Sequence, residues 1–240
     1  MLPSYSIPPE EFKLSTLPAS FRKQRELCES NFGKLVSPHM TIEIAPLVQV
    51  MGSARVIDIR DLLLTEPDFS DARTTDVSYK GAWKPNSPII SLELVKGYEA
   101  KTKAIRDGEV VLFWSGYPDQ FFKPLPALPE VDRMFAAPLS GKAQGWPTPS
   151  LEVLNYLAEK GVRCIGTDGP TMGGVDADHA LMVHWLAASK NVFLVEFLTN
   201  LQSLANRSDG PGEGGYPFFV FAPVKIRGTV GGYGRALGLY

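Results

Sequence analysis

Histidine and cysteine are scarce in this chain, and it has no long apolar run and no large excess of one charge. Its two cysteines, Cys28 and Cys164, lie far apart in 240 residues. They exclude a disulfide scaffold and any CxxC-type metal or redox site. Lys and Arg number 24 against 26 Asp and Glu, a formal net charge of -2 with a pI near 6.0. That balance gives no electrostatic reason to expect nucleic acid or an anionic membrane as a partner. No uninterrupted apolar stretch approaches the ~20 residues of a membrane-spanning helix. The opening "MLPSYSIPPEEFKLS" has neither a basic n-region nor an apolar h-region. The expectation is a cytoplasmic protein with reduced thiols. A P-loop, a GxSxG elbow and a Cys-His nucleophile pattern are missing too. The glycines of "GTVGGYGRALG" lack the strand and helix context of a dinucleotide fingerprint.

What is present reads as one ordinary folded domain. Hydrophobic residues make up 44% and charged residues 21% of the chain, enough to build a substantial core. Residues 1–35 are polar and dotted with proline, and are expected to form an N-terminal arm before a domain over 36–240. Residues 35–50 and "ARVIDIRDLL" (54–63) read as strands, and "ISLELVKGYEAK" as an extended start that turns helical. "GEVVLFWSGY" (108–117) reads as a buried strand, and residues 118–147 as a long ordered loop rich in proline and aromatics. "TPSLEVLNYLAEKG" predicts a helix with Thr148 as N-cap, Pro149 in the first helical position and Gly161 past the end. The strand "VRCIGTD", the helix "ADHALMVHWLAAS", the strand "NVFLVEFL" and the strand "PFFVFAPVKI" follow, before a Gly-rich tail. Strand and helix alternate from 108 to 198, which predicts an α/β fold with parallel pairing.

Three segments of the second half carry a resemblance: "SLEVLNYLAEKGVRCIGTDGPTMG", "HWLAASKNVFLVEFLTNLQSL" and "FFVFAPVKIRGTVGGYGRALGL". Together they resemble the cyclase family that includes bacterial kynurenine formamidase, isatin hydrolase and trans-dienelactone hydrolase. The family pattern of G-x-D, a His and then E-x-L-T-N-L falls on Asp168, His184, Glu196, Thr199 and Asn200. The resemblance implies a swivelling β/β/α fold, a mixed sheet with flanking helices, and a homodimer or homotetramer. It also implies chemistry centred on an N-terminal motif, H-x-G-T-H-x-D-x-P-x-H. Period-two spacing along a strand sets those ligands on one face, where they hold divalent metal that generates hydroxide.

That motif is degraded here. Anchored on "APL", its histidines and aspartate fall on Pro38, Ile42, Ile44 and Val48, while Thr41 and Pro46 survive. A register shifted by one residue offers His39 and Glu43 but puts Ala45 in the aspartate position. The family site uses four histidines, and this chain has three in all, His39, His179 and His184. The reading is therefore an enzyme with no cofactor and no family-type metal, acting on a small-molecule substrate. Glu196 and His184 are the candidate catalytic pair, as acid-base groups. Ile42, Ile44 and Val48 would make the former metal cleft apolar. Ser115 and Tyr117, at the family's T-G-W position, and Asp168, after its strand, are candidate substrate contacts. Ring closure or opening, dehydration or isomerisation of a small carbonyl-bearing metabolite is the expected chemistry. The alternatives are an amide or lactone hydrolase with a rearranged metal site, and an inactive homologue that binds a ligand or partner.

Overall fold

The computed structural model describes residues 42–43, 45–63, 87–122, 134–141, 143–205, 207 and 209–240, and the isolated positions 23, 26, 29 and 30. Apart from those four positions, the expected N-terminal arm and its short helix lie outside the described residues, as do His39, Ile44, Cys28 and residues 64–86 and 123–133, which fall in the segments expected to be loops.

"VVLFW" is apolar at every position, as a strand covered on both faces must be. It forms β3 (Val110–Trp114), the buried centre of a six-stranded sheet. Its parallel neighbours are β1 (Met51–Asp58) on one side and β5 (Cys164–Thr167) on the other, with β6 (Phe193–Val195) beyond β5. The last two strands are antiparallel. β7 (Phe218–Pro223) pairs with β1, and β8 (Gly234–Leu239) pairs with β7 at the sheet edge. A small second sheet joins β2 (Ile89–Ile90) and β4 (Thr148–Pro149) in parallel.

Helices α1 (Leu92–Lys101), α4 (Leu151–Glu159) and α5 (Ala177–Ser189) cover one face of the large sheet. Short helices α2 (Tyr117–Phe121) and α3 (Ala136–Leu139) lie in the segment expected to be loop throughout. Val111 and Phe113 point into the helical core with Val153, Leu157, Val183 and Leu186. Val110, Leu112 and Trp114 alternate to the other face, against Leu198, Leu201, Leu204, Phe219 and Phe221.

A buried ion pair ties β1 to the start of β3. Arg55, fully buried, donates from Nε to Glu109 Oε2 at 2.9 Å and from Nη2 to the Ala104 carbonyl at 2.7 Å. Tyr216 covers the guanidinium at 4.0 Å.

Several expected boundaries move. The described part of residues 35–50 is not a strand: Ile42 and Glu43 form a turn, and Leu47–Gln49 a 3-10 turn. Pro46 starts that turn by accepting from Gln49 N–H, which folds the chain back before β1. β1 begins at Met51 and stops at Asp58, because the Asp58 carboxylate accepts the Arg60 N–H and closes a local turn. Thr148 and Pro149 are not the start of α4. They pair with β2 and the Thr148 hydroxyl donates to Met172 O, so Ser150 caps the helix instead, accepting from Val153 N–H. Gly161 does close the helix, at φ +84°, where a side chain would strike Asp107. The Gly-rich tail is a strand, β8. Its Gly238 is needed because an added Cβ would sit 2.4 Å from Leu204.

Candidate active site

Because β1, β3, β5 and β6 run parallel, the residues that follow them gather along one edge of the sheet, where open α/β sheets place their ligands. Asp58 ends β1, Ser115 follows β3, Asp168 follows β5 and Glu196 follows β6. Glu196 was expected inside a buried strand. It stands just past the end of β6, with a side chain 31% exposed. The next residue, Phe197, adopts φ +60°, a backbone conformation that is an outlier for a bulky side chain. This turn lets Phe197 N–H bond Gly169 O and Leu198 N–H bond Thr167 O, carrying the chain across the sheet edge.

Helix α5 delivers His184 to Glu196, twelve residues before it in sequence. Nε2 of His184 lies 3.2 Å from Oε1 of Glu196, and Nδ1 lies 2.8 Å from the Ala180 carbonyl. Both ring nitrogens therefore face acceptors, and only the imidazolium can donate to both. The Glu196 hydrogen bond raises His184 above its ordinary value of 6.5, against the opposing effect of burial. Oε1 of Glu196 also accepts the Met172 N–H at 2.6 Å. Its Oε2 has no hydrogen-bond partner among the described residues.

Raised in the folded state, His184 contributes stability that is complete below the unfolded-state value near 6.5. It fades as pH rises through the higher folded value. NMR titration of the ring should place His184 above free imidazole, and Glu196→Gln should bring it down. A titration unchanged by that substitution would contradict the pairing.

Ser115 and Asp168 also come together, but chiefly as partners of each other. The Asp168 carboxylate accepts from Ser115 N–H, Ser115 Oγ at 2.6 Å and Gly116 N–H at 2.7 Å, all buried. Burial raises Asp168 from its ordinary value while these hydrogen bonds oppose the rise. Tyr117, also buried, donates its hydroxyl to Met134 O and packs edge-on to Phe121 and Trp146. The three residues shape the loop after β3.

The described residues of the stretch expected to match the metal motif lie elsewhere. Ile42 is buried with its N–H on Thr229 O, Glu43 accepts from Gly228 N–H, and Val48 is 61% exposed. Neither Ile42 nor Val48 lines the half-open cavity of about 340 Å³ beside Glu196. That cavity lies between residues 196–204 and the β7–β8 hairpin. Its walls include Phe197, Leu198, Phe219 and Phe221, with Thr199, Asn200 and Ser203 among the polar residues that border it.

Sequence reasoning gave no warning of three features of this edge. One is the strained Phe197, whose exposed ring meets Phe135 and Phe122. The second is Arg60, which holds Asp58 with two hydrogen bonds and stacks on Trp114 at 3.9 Å. The third is Arg235 in β8, a strand that glycine content had concealed.

The family described as "Putative cyclase" matches residues 28–173. The chain belongs to the cyclase family. Its fold is similar to isatin hydrolase A from Labrenzia aggregata bound to benzyl benzoate, at 19% identity and a TM-score of 0.59 over 85% of this chain. Isatin hydrolase A from Ralstonia solanacearum gives 21% and 0.57 over the same share. An isatin hydrolase bound to the product analogue thioisatinate gives 20% and 0.58. The chain spans 65–66% of the length of these three structures. A protein described as a potential metal-dependent hydrolase with cyclase activity gives 20% and 0.51, with 73% of its length covered. No curated protein sequence matches.

The cyclase family implies a metal centre, and the described residues do not fit one. No three His, Cys, Asp or Glu side chains converge among them. Of the implied ligands, His184 and Glu196 bond each other, and Ile42 and Val48 carry only hydrocarbon. Among the described residues no helix is long and apolar enough to cross a membrane.

Proposed function

We propose that this cyclase-family chain is an enzyme that uses His184 and Glu196 as an acid-base pair on a small carbonyl-bearing substrate. The observation that carries the reading is the 3.2 Å contact between His184 Nε2 and Glu196 Oε1, at a residue that borders the cavity. Glu196 Oε2 removes a proton from the substrate or from an attacking group. The imidazolium of His184 supplies a proton to the oxygen or nitrogen that departs or gains charge, and the pair is restored when the proton held by Glu196 passes to His184 across their 3.2 Å contact. Positioned groups of this kind contribute about 10²–10⁴-fold each. Ring opening or closure, dehydration and isomerisation all need only those two proton transfers and a cavity that holds the substrate in a reactive pose. The ligands named for the neighbouring structures, benzyl benzoate and thioisatinate, are carbonyl or thiocarbonyl-related aromatic compounds, which is in keeping with this substrate class.

The protein is proposed to work without a tightly bound divalent metal. Elemental analysis after dialysis against chelator should find well below one zinc or manganese per chain, and chelator-sensitive hydrolysis of isatin should be negligible. About one metal per chain together with such turnover would favour a hydrolase with a rearranged metal site.

A further inference from the structure

The β7–β8 hairpin has two unlike faces. Phe219 and Phe221 of β7 belong to the interior cluster of Leu112, Trp114 and Leu198. Gly234 and Gly238 of β8 aim at the same side, since an added Cβ would meet the Phe221 ring and the Leu204 side chain. Side chains alternate along a strand, and directly paired residues share a face. The outer face of the hairpin is therefore built from the cross-strand pairs Phe218–Leu239, Val220–Leu237 and Ala222–Arg235. Leu237 and Leu239 on it are 46% and 51% exposed. Helices α1, α4 and α5 do not extend over this face. Their shared core takes in residues of β1, β3, β5 and β6 but none of β7 or β8.

The segment that joins the two strands adds to the apolar surface. Val224, Ile226, Val230 and Tyr233 are all exposed, and the Val224 N–H bond to Tyr233 O continues the pairing past the strand ends. With Leu237 and Leu239 they leave on the order of 700 Å² per chain in water, close to the ~800 Å² that each partner brings to a standard interface. A monomer rarely exposes so much apolar surface in one region. β8 is also the last strand of its sheet, with no neighbour beyond it among the described residues. Free edges are ordinarily blunted by Lys, Pro or a bulge. "GRALGL" contains no Lys or Pro, and its register with β7 runs unbroken from Gly234 to Leu239. Arg235 is the one charged residue of the outer face, and its stem can lie along apolar surface while the guanidinium stays in water.

We infer that this outer face is where two copies of the chain associate, hairpin against hairpin about a two-fold axis. A two-fold contact presents the same patch twice, so the patch has to suit itself. A face of Phe, Val and Leu with no acid, and one Arg on its edge strand, meets that condition. Apolar area covers apolar area, and no carboxylate is taken out of water. The face offers no charge pattern that would select a different protein. The inference is independent of the acid-base reading of His184 and Glu196.

Light scattering on the full chain at micromolar concentration should give a mass of at least twice 26.3 kDa. Leu237→Lys combined with Leu239→Lys brings like charges together across the axis and should halve that mass. Its circular dichroism spectrum should match the parent's, because both side chains are exposed on the single chain. Hydrogen exchange on the unmodified protein is a second readout that does not depend on the variant folding. Amides of residues 218–239 should be better protected at high than at low protein concentration, and those of α4 equally protected at both. A parent mass of 26.3 kDa would overturn the inference, and would mean that another protein or another part of the chain covers the face. A folded double variant that stays assembled, or concentration-dependent protection confined to other elements, would overturn it as well.

Discussion

Glu196→Gln should cut turnover by roughly 10²-fold or more while leaving the melting temperature nearly unchanged. The substitution keeps the shape of the side chain and leaves an amide oxygen able to accept from Met172 N–H, which Oε1 of Glu196 now does at 2.6 Å. What it removes is a carboxylate able to act as a base and the charge that favours the imidazolium form of His184. Partial exposure of the side chain makes the stability effect small, since an exposed ion pair is worth little. His184→Gln should lower turnover too, with the double variant close to the worse single one, because residues that act as a unit are not additive. A bland role predicts the reverse pattern. If Glu196 only ties the Met172 loop to β6, the Gln variant melts earlier and its folded fraction keeps full turnover. If no variant changes any turnover, the chain is better read as a homologue that binds without reacting.

The second large effect concerns stability and lies far from the site. Arg55→Ala should destabilise the domain by about 3–5 kcal/mol, as expected when one partner of a buried pair is removed and the other is left charged. Glu109 would lose its 2.9 Å partner in a buried setting, although Arg106 still reaches its Oε1 at 3.4 Å. Glu109→Ala should be worse placed still, since the Arg55 guanidinium then has only neutral neighbours among the described residues it contacts, the Ala104 carbonyl, the Tyr98 hydroxyl and the face of Tyr216. Arg55→Met combined with Glu109→Leu should cost clearly less than the sum of the two alanine variants, because both charges leave together. Urea denaturation with a two-state fit measures all of these. A single variant within about 1 kcal/mol of the parent would show that the pair is solvated or replaceable, contrary to its burial.

The order of elements was legible because it rests on local pattern. β3 is visible as five consecutive apolar residues, and α5 spans the same residues the pattern marks, with Asp176 as a cap that accepts from His179 N–H. Gly161 announced the end of α4 because only glycine takes φ +84° there without strain. Boundaries failed where a distant partner outbid the local signal. Thr148 looks like a helix cap, and would be one in isolation, but β2 and the Met172 carbonyl claim it. β8 looked like a tail because its glycines weaken strand propensity, whereas pairing with β7 and close contact with Leu204 require them.

The site divides the same way. Sequence by itself determined the family pattern, and with it His184 and Glu196, because their twelve-residue spacing is a covalent fact that helix α5 and β6 convert into contact. It also set the histidine count at three. Only the tertiary structure decided that Asp168 and Ser115 satisfy each other in the interior, and that Ile42 and Val48 do not line the cavity. It alone set the β7–β8 hairpin opposite residues 196–204, around one cavity. The physical reason is that spacing encodes contacts within an element and its nearest neighbours. Which strand closes the sheet edge, and what it leaves exposed there, depends on packing between segments that share no local signal.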